Sequence, residues 1–256
     1  MSSLFRRHRE RILAAQHAEA DRAARAGGTS WHTAVDAYDT LLMALAEDNA
    51  RLSNVRGTEA KTALKRELLP TYRDWSDAAV DAILSSDMAS DGGSENSGEN
   101  NGGHRQDDIV AHVFVWSIDI GDYDTALRLF SAISAADMTL PERFRRRPAD
   151  FLAEQLAEAA IDECYREVAP DARTVTRALF DRVMTAIAGI DMHDEISAKL
   201  MKAGGGLSES DDDLSGALDY YERAIALNPK IGVKTKIKAL KKALKKAADD
   251  SRQPDK

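Results

Sequence analysis

The chain has 256 residues, of which 43% are hydrophobic and only 6% aromatic, and its formal net charge is −8. This size allows one large domain or two modest ones, and the abundance of Ala, Leu, Glu, Asp, Arg and Lys favours helices over sheets. The negative total excludes a protein that coats nucleic acid through its overall charge, but it is compatible with local basic surfaces.

The cysteine content and the lack of long apolar runs indicate where in the cell the protein should reside. The single cysteine, Cys164, cannot form an intramolecular disulfide, which suits a reducing cytoplasm. No run of about 18 apolar residues is present to cross a membrane. The N-terminus begins with a basic segment, residues 5–9, and lacks the apolar core of a signal peptide. We therefore expect a soluble cytoplasmic protein with no membrane contact.

Residues 1–84 are predicted to form an N-terminal helical region. An Ala- and Arg-rich helix ends at a Gly-Gly pair. Amphipathic helices follow over residues 29–54 and from Thr58 onward, the latter broken at Pro70. Four arginines crowd the first helix start, where positive charge opposes the helix dipole. These arginines, which fit an anionic partner about as well as a solvated helix end, are Arg6, Arg7, Arg9 and Arg11.

Residues 85–105 change abruptly to glycine, serine, asparagine and acidic residues, with almost no large apolar side chain. Such a segment cannot bury enough surface to offset its conformational entropy, so we predict a flexible acidic linker. It separates the N-terminal region from a C-terminal helical domain over residues 106–248. A disordered tail, residues 249–256, is expected to follow.

The most regular helical pattern lies in residues 106–130. Apolar residues recur there at three- and four-residue intervals on both sides of Gly121, which predicts an αα-hairpin similar to one tetratricopeptide-type unit. The acidic residues of this segment most simply cap the two helices and face water, and a divalent-metal cluster is the alternative. These acids are Asp107, Asp108, Asp119, Asp122 and Asp124.

Several helices are predicted after the hairpin. A proline-broken turn and an arginine cluster come first, and Pro148 starts the next helix. Two further helices should span residues 171–187 and 194–201. The glycine triplet at residues 204–206, with the acids that follow it, predicts a second flexible loop.

Two helices close the chain. Residues 214–229 look like the second helix of a tetratricopeptide repeat, and the last helix, residues 233–248, has an apolar seam at heptad-like spacing among seven lysines. The two tetratricopeptide-like segments lie about 95 residues apart, which is too far for a regular array. We predict an all-α fold: an irregular helical bundle with tetratricopeptide-like hairpins and a lysine-rich C-terminal helix.

Catalytic motifs are absent from the sequence. It contains no GKT or GKS phosphate loop, no HExxH, no CxxC pair and no GxSxG. The six histidines have no metal-ligand spacing. We therefore predict no catalytic residue, no metal site and no cofactor.

Binding chemistry is concentrated in clusters of arginine and lysine. Such side chains make favourable, salt-dependent contacts with phosphate. The residues predicted to bind nucleic acid are Arg6, Arg7, Arg9, Arg11, Lys65, Arg66, Arg143, Arg145, Arg146 and Arg147. The residues predicted to contact either nucleic acid or a protein partner are Lys234, Lys238, Lys241, Lys242 and Lys245.

Four collinear segments resemble a known family. They are the run from Lys65 to Pro70 with Tyr72 and Trp75; Asp107, Asp108 and Ile109 with Trp116, Asp119, Gly121 and Asp122; Thr139, Leu140 and Pro141 with Arg145 and Arg146; and residues 214–227 with the lysine-rich helix. In order and approximate spacing they resemble the small terminase subunit of P2-like tailed bacteriophages. The resemblance covers most of residues 5–246.

The resemblance implies a DNA-recognition subunit that forms a homo-oligomeric ring in the host cytoplasm. Such a subunit binds the cohesive-end (cos) or packaging site of the viral double-stranded DNA and recruits the large ATPase and nuclease subunit. Residues 1–84 become a candidate region for DNA binding or oligomerisation, and endonuclease activity is expected from the holoenzyme. Two alternatives stay open: a helical protein–protein interaction scaffold, and a subunit with its own metal-dependent endonuclease activity.

Overall fold

The computed structural model describes residues 31–90 and 106–250, and every regular element in these ranges is helical. Ten α-helices and one short 3₁₀ turn occur there without any strand, which confirms the predicted all-α fold. None of these helices carries an apolar stretch that would span a bilayer. In chain order they are α1 (Trp31–Ser53), α2 (Thr58–Leu68), α3 (Pro70–Ser90), α4 (Asp108–Asp119), α5 (Tyr123–Ala135), α6 (Pro148–Tyr165), α7 (Arg177–Ala186), α8 (Asp194–Ser210), α9 (Leu214–Leu227) and α10 (Lys234–Asp250).

The chain divides into two compact units, Met1–Leu68 and Leu69–Lys256. The helices α1 and α2 belong to the first unit, and α3 to α10 belong to the second. The break between α2 and α3 falls where Pro70 predicted it. Proline cannot donate the N–H that would continue a helix, but it fits the first turn of a new one.

The helix α3 packs on α4 and α5, although the sequence grouped it with the N-terminal region. Val80 is fully buried, and the guanidinium of Arg128 on α5 pairs with Asp77 and Asp81 on α3. The end of α3 enters the segment predicted as a linker, and residues 91–105 of that segment lie outside the described ranges. Composition reveals the glycine-rich stretch but not the tertiary contacts of α3.

The predicted hairpin is present as α4 and α5, which meet at a tight turn. Gly121 has a φ of 81°, a left-handed conformation that favours glycine. A Cβ added there would lie 3.0 Å from the side chain of Thr174. Asp107 caps α4 and Asp122 caps α5 by accepting backbone N–H groups. The capping role predicted for these two acids is confirmed.

The helix α4 forms the centre of the second unit, because nine of its 12 residues are buried. The ring of Trp116 meets Tyr72 of α3 edge-on, with centroids 5.8 Å apart. Phe114 stacks against Phe130 of α5 at 6.3 Å. Aromatic pairs of this kind contribute about 1 kcal/mol beyond the burial of their area. One apolar core therefore joins α3, α4 and α5.

The glycine triplet at residues 204–206 lies inside α8, so the prediction of a flexible loop there is wrong. A Cβ on Gly204 would lie 2.7 Å from the ring of Tyr220, and one on Gly205 would lie 2.5 Å from the ring of Tyr221. The glycines allow α9 to approach α8 more closely than larger residues would. The resulting packing outweighs the low helix propensity of glycine.

The helix predicted over residues 171–187 starts later than expected, at Arg177. The buried carboxylate of Glu163 on α6 accepts hydrogen bonds from the backbone N–H groups of Thr174 and Val175, at 2.8 and 3.0 Å. These bonds satisfy the backbone in a non-helical conformation. Sequence periodicity cannot reveal a competing acceptor that comes from another helix.

The helices α9 and α10 lie within two residues of their predicted bounds. The apolar seam of the last helix is also present, since Val233 and Leu240 are buried while Ile237 and Leu244 are half-buried. Because α10 packs on α9, this seam anchors the helix within its own unit. The lysines of α10 are left to surround the seam.

Candidate nucleic-acid interface

The first two groups of predicted residues precede residue 69 in the sequence. Arg6, Arg7, Arg9 and Arg11 fall outside the described residues. Lys65 and Arg66 occupy the last turn of α2, where the helix dipole favours positive charge. The dipole of α2 is therefore enough to account for positive charge at these two positions.

The arginine loop, residues 141–147, lies just before α6 and carries four of the predicted residues. Arg146 pairs with Glu154 and Arg147 with Asp150, and the side chains of these two acids are only 8% and 6% exposed. Arg147 donates to both carboxylate oxygens of Asp150, at 2.9 and 3.0 Å, which raises the pKa of Arg147. Leaving a buried carboxylate unpaired is costly. These two arginines therefore hold the loop to α6.

The other two arginines of the loop have different surroundings. The guanidinium carbon of Arg143 lies 4.9 Å from the centre of the Phe144 ring, a cation–π distance, and burial lowers the pKa of Arg143. Arg145 is exposed, is among the residues that line a cleft of about 460 Å³, and makes no ion pair with the described residues. Arg145 can therefore bind a phosphate without giving up an ion pair to any residue of 31–90 and 106–250.

The lysines of α10 divide into two sets. Nζ of Lys236 lies 2.8 Å from Oε2 of Glu209, and Nζ of Lys241 lies 2.7 Å from Oε1 of Glu222. These two lysines fasten α10 to α8 and α9. The remaining five are exposed and form no ion pair within residues 31–90 and 106–250. They make up the outer lysine face: Lys234, Lys238, Lys242, Lys245 and Lys246.

The outer lysine face differs from the predicted set at two positions. Lys241 was predicted as a contact residue, but the structure pairs it with Glu222. Lys246 was left out of the prediction, although its spacing of four residues from Lys242 indicates a shared helix face. The spacing was visible in the sequence. The acidic partner of Lys241 was not.

The acids of the hairpin are engaged by the fold. Oδ1 of Asp107 accepts the N–H groups of Ile109 and Val110, at 2.9 and 3.0 Å. Asp124 pairs with Arg182 of α7. Across residues 31–90 and 106–250, no group of three or more His, Cys, Asp or Glu residues could hold a metal ion. Asp107 and Asp124 therefore have structural roles.

Two further titratable groups, His112 and Cys164, are partly buried. Nδ1 of His112 lies 2.7 Å from the backbone carbonyl oxygen of Asp108, and burial lowers the pKa of His112. Burial also raises the pKa of the Cys164 thiol, which makes the reactive thiolate scarce at neutral pH. Neither group has the properties of an exposed nucleophile or base.

Comparison with known proteins assigns the chain to a family. The model of the phage small terminase subunit matches residues 42–195. A relative from Escherichia phage P2, named "Terminase, endonuclease subunit", is 31% identical over 245 residues, which cover 96% of this chain and 87% of the relative. No solved structure matches the chain. The extent of these two matches shows that the chain belongs to the phage small terminase subunit family.

Proposed function

We propose that the protein recognises DNA for a phage packaging machine. It binds the cos or packaging site of viral double-stranded DNA in the host cytoplasm and recruits the large ATPase and nuclease subunit. The observation that carries this proposal is membership of the family, supported by the family model over residues 42–195 and by the phage P2 relative over 96% of the chain.

The charge distribution supports binding to DNA. The outer lysine face and Arg145 present exposed cations on a chain whose net charge is −8. Lysine and arginine neutralise phosphates and release the counterions of DNA, which gives affinity that falls with salt. The acidic remainder of the chain repels DNA. Binding is therefore expected to be confined to the basic surfaces.

The name of the phage P2 relative includes the words "endonuclease subunit", which motivates a second candidate function, an intrinsic metal-dependent nuclease. Nuclease chemistry of this kind needs carboxylates that are free to hold Mg²⁺. Asp107 and Asp122 cap helices, and Asp124 pairs with Arg182. These contacts favour a DNA-recognition subunit without nuclease activity of its own, with cleavage supplied by the large subunit.

A gel-shift titration tests the proposed function. The purified full-length protein is mixed with a labelled duplex that contains the cos region of its phage, or with a shuffled duplex of equal length and composition. We expect tighter binding to the cos duplex, because a recognition subunit must discriminate its site from a large excess of other DNA. Equal affinity for the two duplexes would contradict site recognition. Absence of binding to either would leave the helical interaction scaffold as the better description.

A further inference from the structure

The outer lysine face is a continuous stripe along α10. Lys234, Lys238, Lys242 and Lys246 are spaced four residues apart, so each is offset from the next by about 40° around the helix axis, and Lys245 falls within the same arc of about 120°. The face points away from the apolar seam of Val233 and Leu240, which is buried. All five lysines therefore project from the same exposed side of the helix.

The stripe is electrostatically unfavourable for the isolated protein. Like charges four residues apart repel one another on a helix. The first turn of α10 contains no acidic residue, and Lys234 in that turn opposes the helix dipole. Asp249 offsets the stripe only near its C-terminal end. An anionic partner would relieve the repulsion that remains along the rest of the stripe.

The chemistry of the stripe favours DNA over a protein as that partner. Protein interfaces depend largely on buried aromatic or arginine anchors, whereas the residues between these lysines on the exposed side, Thr235 and Ala239, are small. The stripe from Lys234 to Lys246 is about 18 Å long at 1.5 Å per residue. One strand of B-DNA presents a phosphate about every 3.4 Å along the axis. Five lysines over this length can follow one strand.

The arginine loop is less available to phosphate than the outer lysine face. To bind phosphate, Arg147 would have to abandon the nearly buried carboxylate of Asp150, which is costly. Arg146 would have to leave Glu154, which Lys199 also pairs with. The outer lysines would abandon no ion pair with any described residue. Among the described basic clusters, α10 therefore offers the largest number of available cations.

We propose that the outer lysine face of α10 binds the phosphate backbone of double-stranded DNA, independently of base sequence. This inference rests on the proposed function, because it assigns part of the DNA contact to a particular surface. Recognition of the cos sequence then belongs to another part of the protein, since phosphate contacts alone carry no direct sequence information.

The test compares two double variants on the same helix. Lys238→Gln with Lys242→Gln removes two outer lysines. Lys236→Gln with Lys241→Gln removes the same number of charges from the lysines paired with Glu209 and Glu222. Glutamine has nearly the helix propensity of lysine, and far-UV circular dichroism checks that each full-length variant is folded. Binding to a short fluorescein-labelled duplex of random sequence is measured between about 50 and 200 mM salt.

We expect the outer variant to bind more weakly, and its plot of log affinity against log salt to be less steep by about 1.8, or 0.9 for each lost phosphate contact. The paired variant should stay near the wild-type slope. Replacement of all five outer lysines by glutamine should reduce affinity at low salt by about tenfold or more.

The outcomes separate this inference from the proposed function. Equal affinities and slopes for the two double variants, with a wild-type protein that binds DNA, would overturn the assignment to α10 and leave the proposed function intact. Unchanged DNA affinity in the five-lysine variant would also overturn it and would direct attention to an acidic protein partner. A wild-type protein that binds neither random nor cos DNA would remove both proposals together.

Discussion

Asp107 performs two structural tasks with one carboxylate. Its Oδ1 accepts the N–H groups of Ile109 and Val110 and so caps α4. Its Oδ2 accepts the indole N–H of Trp75 on α3, at 2.9 Å. The bond links two helices that residues 91–105 separate in sequence. The same residue would be a first choice in a search for a metal-binding nuclease site, so its role can be decided by mutation.

Asp107→Ala is expected to destabilise the protein by about 2 kcal/mol, because it removes a helix cap and leaves the Trp75 N–H without this acceptor. Urea denaturation measures the effect. Asp108→Ala is the matched control, since Asp108 is exposed and the side chain that caps α4 is that of Asp107. A stable Asp107→Ala protein that loses Mg²⁺-dependent DNA cleavage by the isolated subunit would instead support the nuclease alternative.

The arginine loop has one property that a sequence reveals and one that it does not. A run of Arg145, Arg146 and Arg147 predicts a basic patch, because positive residues are usually exposed. The sequence does not show that Asp150 and Glu154 are nearly buried and face two of these guanidinium groups. The charges of Arg146 and Arg147 were predictable. Their engagement with α6 depends on tertiary packing and was not.

Among the elements, the α8–α9 pair shows close packing that uses glycine. Because Gly204 and Gly205 have no side chain, the rings of Tyr220 and Tyr221 can lie directly against the backbone of α8. The hydroxyl of Tyr221 donates to Glu209 at 2.6 Å. The arrangement couples helix approach to a specific hydrogen bond.

Gly205→Ala is expected to destabilise the protein by about 1–3 kcal/mol through overpacking, because its Cβ would lie 2.5 Å from the Tyr221 ring. Helix propensity acts in the opposite direction by about 1 kcal/mol. Thermal or urea unfolding measures the balance.

Gly206→Ala provides the matched control on the same helix. Its Cβ would meet Sγ of Cys164 at 3.2 Å, so we expect a smaller loss. A Gly205→Ala protein more stable than wild type would show that helix propensity governs this position and that α9 is free to move away.

Periodicity predicted most elements, because their apolar spacing follows directly from helix geometry. It identified α4, α5, α9 and α10, and Pro70 located the break before α3. It failed at residues 204–206, where glycine normally indicates a loop. The pair Tyr220 and Tyr221 that stabilises this part of α8 lies in a different helix. A single sequence does not show that these segments meet.

For the whole molecule, we propose assembly into a ring of identical subunits, as the family resemblance implies. One outer lysine face supplies only a few salt-sensitive contacts. Several copies on one DNA would multiply their effect, because each later contact becomes intramolecular. Assembly would therefore allow a chain with a net charge of −8 to hold DNA.

Native mass spectrometry of the full-length protein, with and without a cos duplex, tests this assembly. We expect a closed oligomer of one defined subunit number, as is usual for symmetric assemblies. Raising the salt concentration should release DNA before it separates the subunits, because phosphate contacts are the more sensitive to salt. A monomer in both samples would contradict the ring.

The absence of arginine from α10 affects how DNA could move over the protein. All basic residues of this helix are lysines, which act as point charges on flexible stems and lack the fixed fork with which arginine grips a phosphate from two sides. A duplex held in this way can exchange one phosphate for the next at little cost and slide along the surface. The outer lysine face would then keep the DNA bound to the protein and still allow it to slide during packaging.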